Sequence, residues 1–143
     1  MERLTISREH LDAVIAHARS DLPNEACGLL FGLDGRVRQV RPILSIDPSP
    51  VSYSFDSTEQ LRVMGEMESR GLKLVGIYHS HPDSPPIPSL TDIKRAFFPG
   101  TREPNFPDAE YMIVSLTEST PEVNVFLILG SKIQKVELKI DAS

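Results

Sequence analysis

Residues 76–92, GIYHSHPDSPPIPSLTD, restrict this chain more than any other stretch. An apolar run leads into two histidines one residue apart, then into a segment with four prolines among residues 82–88, then into Ser-Leu-Thr-Asp. Side chains alternate across a strand, so His79 and His81 face one way and Ser80 the other. At strand rise their α-carbons are about 6.5–7 Å apart, and two imidazoles at that separation can meet on one cation. Val75 and Ile77 share this parity, so the imidazoles extend a row of inward side chains. Pro82, Pro85, Pro86 and Pro88 fix φ and turn the chain back with few unfolded alternatives. Ser89 then caps a short helix and places Asp92 at its N3 position. Singly, His-x-His reads as a buried pair and Ser-x-x-Asp as a cap without chemistry. Together they supply three ligands, the number zinc takes in catalytic sites while keeping a fourth position for water.

Glu25 enters a buried strand in PNEACGLLFG. A carboxylate there is costly unless it has a partner or a task, and general base to a water is such a task. Alone it reads as an exposed turn residue. Cys27 has the same strand parity, which raises the alternative of a thiol nucleophile. The apolar GLLF that follows favours inert packing.

Around this stretch the chain alternates helices and strands. Residues 4–6 read as an edge strand, and Ser7 as the cap of a helix to about Arg19 with an apolar stripe of Leu11, Val14, Ile15 and Ala18. His10 and His17 lie beside that stripe as partly exposed helix residues, not ligands. Residues 26–31 form a strand closed by Gly32, paired across GLDG with RVRQVRPI. Residues 53–55, Tyr-Ser-Phe, read as a short strand. Asp56-Ser57-Thr58-Glu59 opens a capping-box helix with Leu61, Met64 and Met67 inward and Gly71 as its stop. SLTDIKRAFF reads as a helix ended by Pro99-Gly100. AEYMIVSL, EVNVFLILG and KIQKVELKI are strands. The expected fold is α/β (α+β), one domain over residues 1–143, with a mixed, mostly antiparallel sheet packed with helices.

Charge and cysteine use narrow the function classes. Net charge is −5 with both signs interspersed, and no basic face for nucleic acid is expected. Cys27 is the only cysteine, so an internal disulfide is impossible and a cytoplasmic address fits. The N-terminal MERLTISREHLDAVIA is charged where a secretory signal is apolar. The longest apolar runs fall far below the about 18 residues of a membrane span, so no membrane partner is expected.

The set Glu25, His79-Ser-His81-Pro, Ser89 and Asp92 resembles the signature of the JAMM (MPN-type) zinc metalloproteases, and NEACGLLFG and the N-terminal elements extend the likeness over nearly the whole chain. The resemblance implies a cytidine-deaminase-like core with Zn2+ on His79, His81 and Asp92. It implies that Glu25 deprotonates a water held on zinc and passes the proton to the leaving amine, while Ser89 hydrogen-bonds the oxyanion. The implied reaction is hydrolysis of an amide or isopeptide after the C-terminal glycine of a ubiquitin-like protein. In size the chain resembles small stand-alone prokaryotic members, some of which process sulfur-carrier proteins with a Gly-Gly terminus. DSTEQLRVMGEME resembles the matching helix of those that release a cysteine adduct. The residues do not decide among cysteine, peptide and lysine as leaving group, nor do they give the oligomeric state. An extended tail would lie along a strand edge, with residues 53–55 and 82–88 as walls and 99–108 as a specificity loop. Two rivals keep the same ligands. A non-haem iron oxygenase leaves Glu25 and Ser89 idle. A zinc-stabilised module would bind a ubiquitin-like partner without cutting it.

Overall fold

The computed structural model describes residues 3–130 and 132–142. Its elements run β1 (Arg3–Ser7), α1 (Arg8–Ser20), β2 (Cys27–Leu33), β3 (Arg36–Ile43), α2 (Ser57–Ser69), β4 (Lys73–His81), α3 (Leu90–Arg95), β5 (Glu110–Ser115), β6 (Glu122–Ile128) and β7 (Ile133–Asp141). The strands close into a barrel in the order β1-β3-β2-β4-β5-β6-β7. Four pairings are antiparallel and three, β1–β3, β1–β7 and β4–β5, are parallel. The sheet is mixed as expected, but its closure is new. In particular β1 is no edge strand. It runs parallel to β7 from Arg3 opposite Glu137 to Ser7 opposite Asp141, and it touches β3 on its other side. Closure removes the edges that an open sheet would expose.

Strand parity sorts the core into two faces. Leu30, Tyr78, Met112 and Val114 pack with Leu11, Val14 and Ala18 of α1. Leu29, Phe31, Ile77 and Tyr111 pack with Val63 and Met67 of α2 and Ala96 after α3. His79 and His81 share the parity of Ile77, so they lie on the face covered by α2 and α3. Val75 does not. Phe31 pairs with Leu74 and Leu30 with Gly76, which leaves Val75 as the extra residue of a bulge; it packs against the α1 cluster. A bulge shifts the alternation by one residue, which a strict period of two cannot foresee.

Local chemistry explains the remaining boundaries. Asp34 and Gly35, with φ of 53° and 72°, make the two-residue turn between β2 and β3, as positive φ at both central positions of such hairpins requires. Gly32 lies inside β2 at a register shift and does not end the strand. Ser7 caps α1 by accepting from the His10 amide at 3.0 Å, and His17 Nδ1 lies 2.6 Å from the Tyr78 hydroxyl. Leu61, expected inward, is 72% exposed, while Val63 and Met67 are buried. Two residues before Val63 is about 200° round a helix with 3.6 residues per turn, so the two cannot face the same way. Asp56 accepts from the Glu59 amide at 3.0 Å, but the Glu59 carboxylate takes the Leu44 amide at 2.6 Å in place of closing a capping box. Residues 53–55 form no strand, only a bridge between Ser45 and Phe55. Helix α3 stops at Arg95, where the chain turns into a bridge between Phe97 and Pro104. No helix among the described residues is long and apolar enough to cross a membrane.

Two glycines test this packing in opposite directions. A Cβ on Gly32 would fall 1.7 Å from the Arg36 carbonyl oxygen, whereas one on Gly65 of α2 meets nothing within 4 Å. Urea unfolding should show Gly32→Ala destabilised by about 2–3 kcal/mol. Gly65→Ala should gain about 0.5–1 kcal/mol, the usual helix-interior preference for alanine over glycine.

Candidate metal centre

Strand β4 delivers two imidazoles and the first turn of α3 delivers a carboxylate. Asp92 Oδ2 lies 3.0 Å from His79 Nε2 and 3.1 Å from His81 Nε2, and the two Nε2 atoms are 3.0 Å apart. Ligands about 2.0–2.2 Å from a tetrahedral zinc ion stand roughly 3.3–3.5 Å from one another. The triangle is therefore close to the one a small cation imposes. All three residues are at most 6% exposed. Glu25 completes a buried group whose candidate ligand atoms all lie within 4.8 Å of one another. Two nitrogens and one carboxylate oxygen fit zinc chemistry, and the fourth group can face an open coordination position.

Each of the three candidate ligands is also held by a neighbour outside the triangle. His81 Nδ1 donates to the Pro85 carbonyl at 2.7 Å, which turns the Nε2 lone pair into the cluster. The proline segment thus orients the His81 imidazole as well as turning the chain. Asn124 and Ser115 anchor that segment by donating to the Pro86 and Ser84 carbonyls at 3.1 and 2.7 Å. His79 stacks on Tyr53, with ring centroids 4.7 Å apart and planes 29° from parallel. Asp92 sits in a complete capping box: its Oδ2 accepts from the Ser89 amide at 2.9 Å, and its own amide donates to Ser89 Oγ at 3.0 Å. The cap uses Ser89 Oγ as an acceptor and leaves its proton free to be donated.

Glu25 is positioned by the backbone around it. Its amide donates to the Ser49 carbonyl at 2.8 Å. The next residue, Ala26, donates to Ser80 Oγ at 2.8 Å and accepts from the Ser80 amide at 3.0 Å. Ser80, fully buried between the two histidines, thereby ties the Glu25 end of β2 to the His79–His81 end of β4. Sequence reasoning set Ser80 aside as the residue facing the other way; its hydroxyl on a buried strand was the available signal. Glu25 Oε1 is buried and has no hydrogen-bond partner among the described residues.

The charges follow from this packing. Burial pushes Glu25 up to about 8, against the pull of the neighbouring His81. Burial also opposes the charged form of Asp92, but the hydrogen bonds from His79 and His81 prevail and hold it well below the usual carboxylate range. Burial lowers His79. For His81 burial acts the same way, yet the bonds to Asp92 and the Pro85 carbonyl outweigh it and raise the group. Cys27 pairs with His79 across β2 and β4 and shares its face, but it is 1% exposed, donates to the Ile43 carbonyl at 3.4 Å, and is pushed up to about 12 by burial. A thiol so held is packing, not a nucleophile.

One cleft opens on the cluster and a second lies beside it. The first passes Glu25, His81 and Ser89 and is walled by Leu22, Pro23 and Val51. The other lies behind Tyr53, among Phe55, Ile77, Phe98, Phe106 and Tyr111. Residues 53–55 line the cleft behind Tyr53, and residues 82–84 line the one that passes Glu25. His10 and His17, on α1, lie outside the group of candidate ligands.

Comparison with known proteins gives concordant matches. Residues 7–131 match the family model described as prokaryotic homologs of the JAB domain. The CysO-cysteine peptidase of Mycobacterium tuberculosis is 42% identical over 114 residues, 78% of this chain and 73% of that protein. The desampylase of Haloferax volcanii is 40% identical over 105 residues, 68% of this chain and 76% of that protein. A Desulfitobacterium hafniense protein known from its solution structure superposes with a TM-score of 0.83 at 34% identity, over 98% of this chain and 94% of that one.

The buried Glu25 sets a pH dependence. In metal-free protein the folded state keeps this proton up to about pH 8, while the unfolded chain releases it near 4.5. Folding takes up a proton across that window, so stability falls as pH rises through it. Glu25→Gln removes the effect. In chelator, denaturant titrations should show the variant more stable than the parent at pH 8, with the difference shrinking toward pH 4.5. A constant difference across that range would contradict the assignment.

Proposed function

The chain belongs to the prokaryotic JAB-domain family, and on that premise we propose that it is a zinc-dependent peptidase. Its substrate bond is the amide or isopeptide that follows the C-terminal glycine of a ubiquitin-like or sulfur-carrier protein. One observation carries the reading: Glu25, His79, His81 and Asp92 gather in a single buried cluster beside Ser89. Relatives named as a CysO-cysteine peptidase and a desampylase support the substrate class.

In this reading His79 Nε2, His81 Nε2 and Asp92 Oδ2 hold the ion. Zinc, when bound, polarises the scissile carbonyl and brings the pKa of an attacking water toward ~7. The chain's own groups do the rest. Glu25 Oε1, buried and unpartnered, accepts the proton of the attacking water and returns it to the leaving nitrogen. Its raised proton affinity suits a base that must later act as an acid near neutral pH. Ser89 Oγ–H, unspent by the cap, donates to the oxyanion. The Pro85 carbonyl and the Tyr53 ring keep the two imidazoles from turning during turnover.

The test is incubation of the zinc-loaded protein with carrier proteins ending in Gly-Gly plus one residue, a peptide or a lysine isopeptide, read by intact mass. Cleavage after the second glycine, abolished by chelator and restored by zinc, is expected. Glu25→Gln should keep one bound zinc and lose turnover. Ser89→Ala should lower kcat by about 10²–10³, the usual cost of an oxyanion donor. Cys27→Ala should retain activity. Retained turnover in Glu25→Gln, or iron with oxygen consumption, would overturn the reading. Binding without turnover would favour the non-catalytic module.

A further inference from the structure

Arg95 is a cation that the proposed chemistry has not used. It sits three residues after Asp92, on the same side of α3, and its side chain is exposed. One guanidinium nitrogen donates to the Tyr53 carbonyl at 2.6 Å, and Arg95 forms no ion pair among the described residues. It lines the cleft behind Tyr53, whose ring stacks on His79. That cleft, about 440 Å³ with aromatic walls, is of the size that takes a small ligand. Arg95 is also close enough to Glu25 for its charge to act there. A guanidinium one helical turn from Asp92, with donors to spare and no ion pair among the described residues, is suited to a planar anion.

The substrate offers few such anions. On the acyl side two glycines present neutral backbone. On the amine side, a lysine isopeptide presents an aliphatic chain whose own carboxyl is tied up in a peptide bond several atoms away. A single amino acid differs: its α-carboxylate hangs on the carbon that carries the scissile nitrogen, the atom Glu25 must protonate. We propose that Arg95 binds the free α-carboxylate of a one-residue leaving group, so that this chain releases a single amino acid from the carrier terminus in preference to cutting lysine isopeptides. This rests on the peptidase reading above. Arg95 is then a specificity residue for the leaving group, and its bond to the Tyr53 carbonyl fixes the arm from which the remaining donors reach.

The experiment compares a ubiquitin-like carrier extended by Gly-Gly-Cys as the free acid, the same protein as its C-terminal amide, and a lysine isopeptide of the carrier. Both cysteine substrates carry the thiol, so their ratio isolates the carboxylate. The zinc-loaded protein should prefer acid to amide by about 10- to 100-fold in kcat/KM, the range of one charge-assisted bidentate contact. Arg95→Gln should erase the preference, bringing acid and amide to the same kcat/KM. Arg95→Lys should recover part of the preference, since it keeps the charge and loses the fork. Binding gives a second readout: by calorimetry Glu25→Gln protein should hold the acid about tenfold more tightly than the amide, and adding Arg95→Gln should erase the difference. Equal cleavage of acid and amide by the parent overturns the proposal alone. So does an equal loss on both in Arg95→Gln, which would assign Arg95 to clamping Tyr53. Cleavage of neither cysteine substrate nor the isopeptide by zinc-loaded parent overturns the peptidase reading and this proposal with it.

Discussion

One carboxylate oxygen joins the two halves of this structure. Asp92 Oδ2 accepts the Ser89 amide that starts α3 and, from the same position, lies within 3.1 Å of both histidine Nε2 atoms. A buried charge is costly unless it is met by charge or hydrogen bonds, and here several partners meet it at once. The cap therefore does more than begin a helix. It aims the carboxylate at β4, and the carboxylate in turn pins α3 over the end of that strand. A short helix of six residues has little cohesion of its own, so its placement depends on this anchor and on Ala96 packed behind it.

The barrel makes the anchor effective by dividing labour between faces. Tyr78 and its neighbours belong to the apolar side with α1, and Ile77, His79 and His81 to the side of α2 and α3. Ser80, which points away from the histidines, spends its hydroxyl and amide on Ala26 and so fixes where Glu25 stands relative to them. Parity places the reactive groups on one face, and a polar stitch on the opposite face sets the distance between their strands. Glu25 is then buried with one oxygen unpartnered among the described residues, a state that lowers the stability of metal-free protein and that pays only if the group has chemistry to do.

The irregular segments carry what the regular elements cannot. Residues 82–88 lend a carbonyl to His81, residue 53 lends a ring to His79, and Arg95 reaches from the end of α3 to the backbone of residue 53. These contacts join parts of the chain far apart in sequence around one small volume. Backbone carbonyls of these loops are bonded to side chains: Pro85 to His81, Tyr53 to Arg95, Ser84 to Ser115 and Pro86 to Asn124.

Much of this was legible beforehand because it is local. The alternation of His79 and His81, the Ser89–Asp92 cap, the turn at Asp34-Gly35 and the stripe on α1 depend on residues a few positions apart, and backbone geometry alone relates them. The resemblance of the five-residue pattern to a known family added roles that spacing could not assign. What stayed hidden depends on distant partners. Barrel closure makes β1 an interior strand only because β7 lies beside it. The bulge at Val75 reverses its face because of register with β2, and Glu59 abandons its capping box for an amide on another segment. Tyr53, the Pro85 carbonyl and Arg95 carry no mark of their roles in the sequence. The chain's order of residues determined which groups share a side of each element; the tertiary structure decided how far apart those sides stand, because that distance is set by packing between elements that no short-range pattern records.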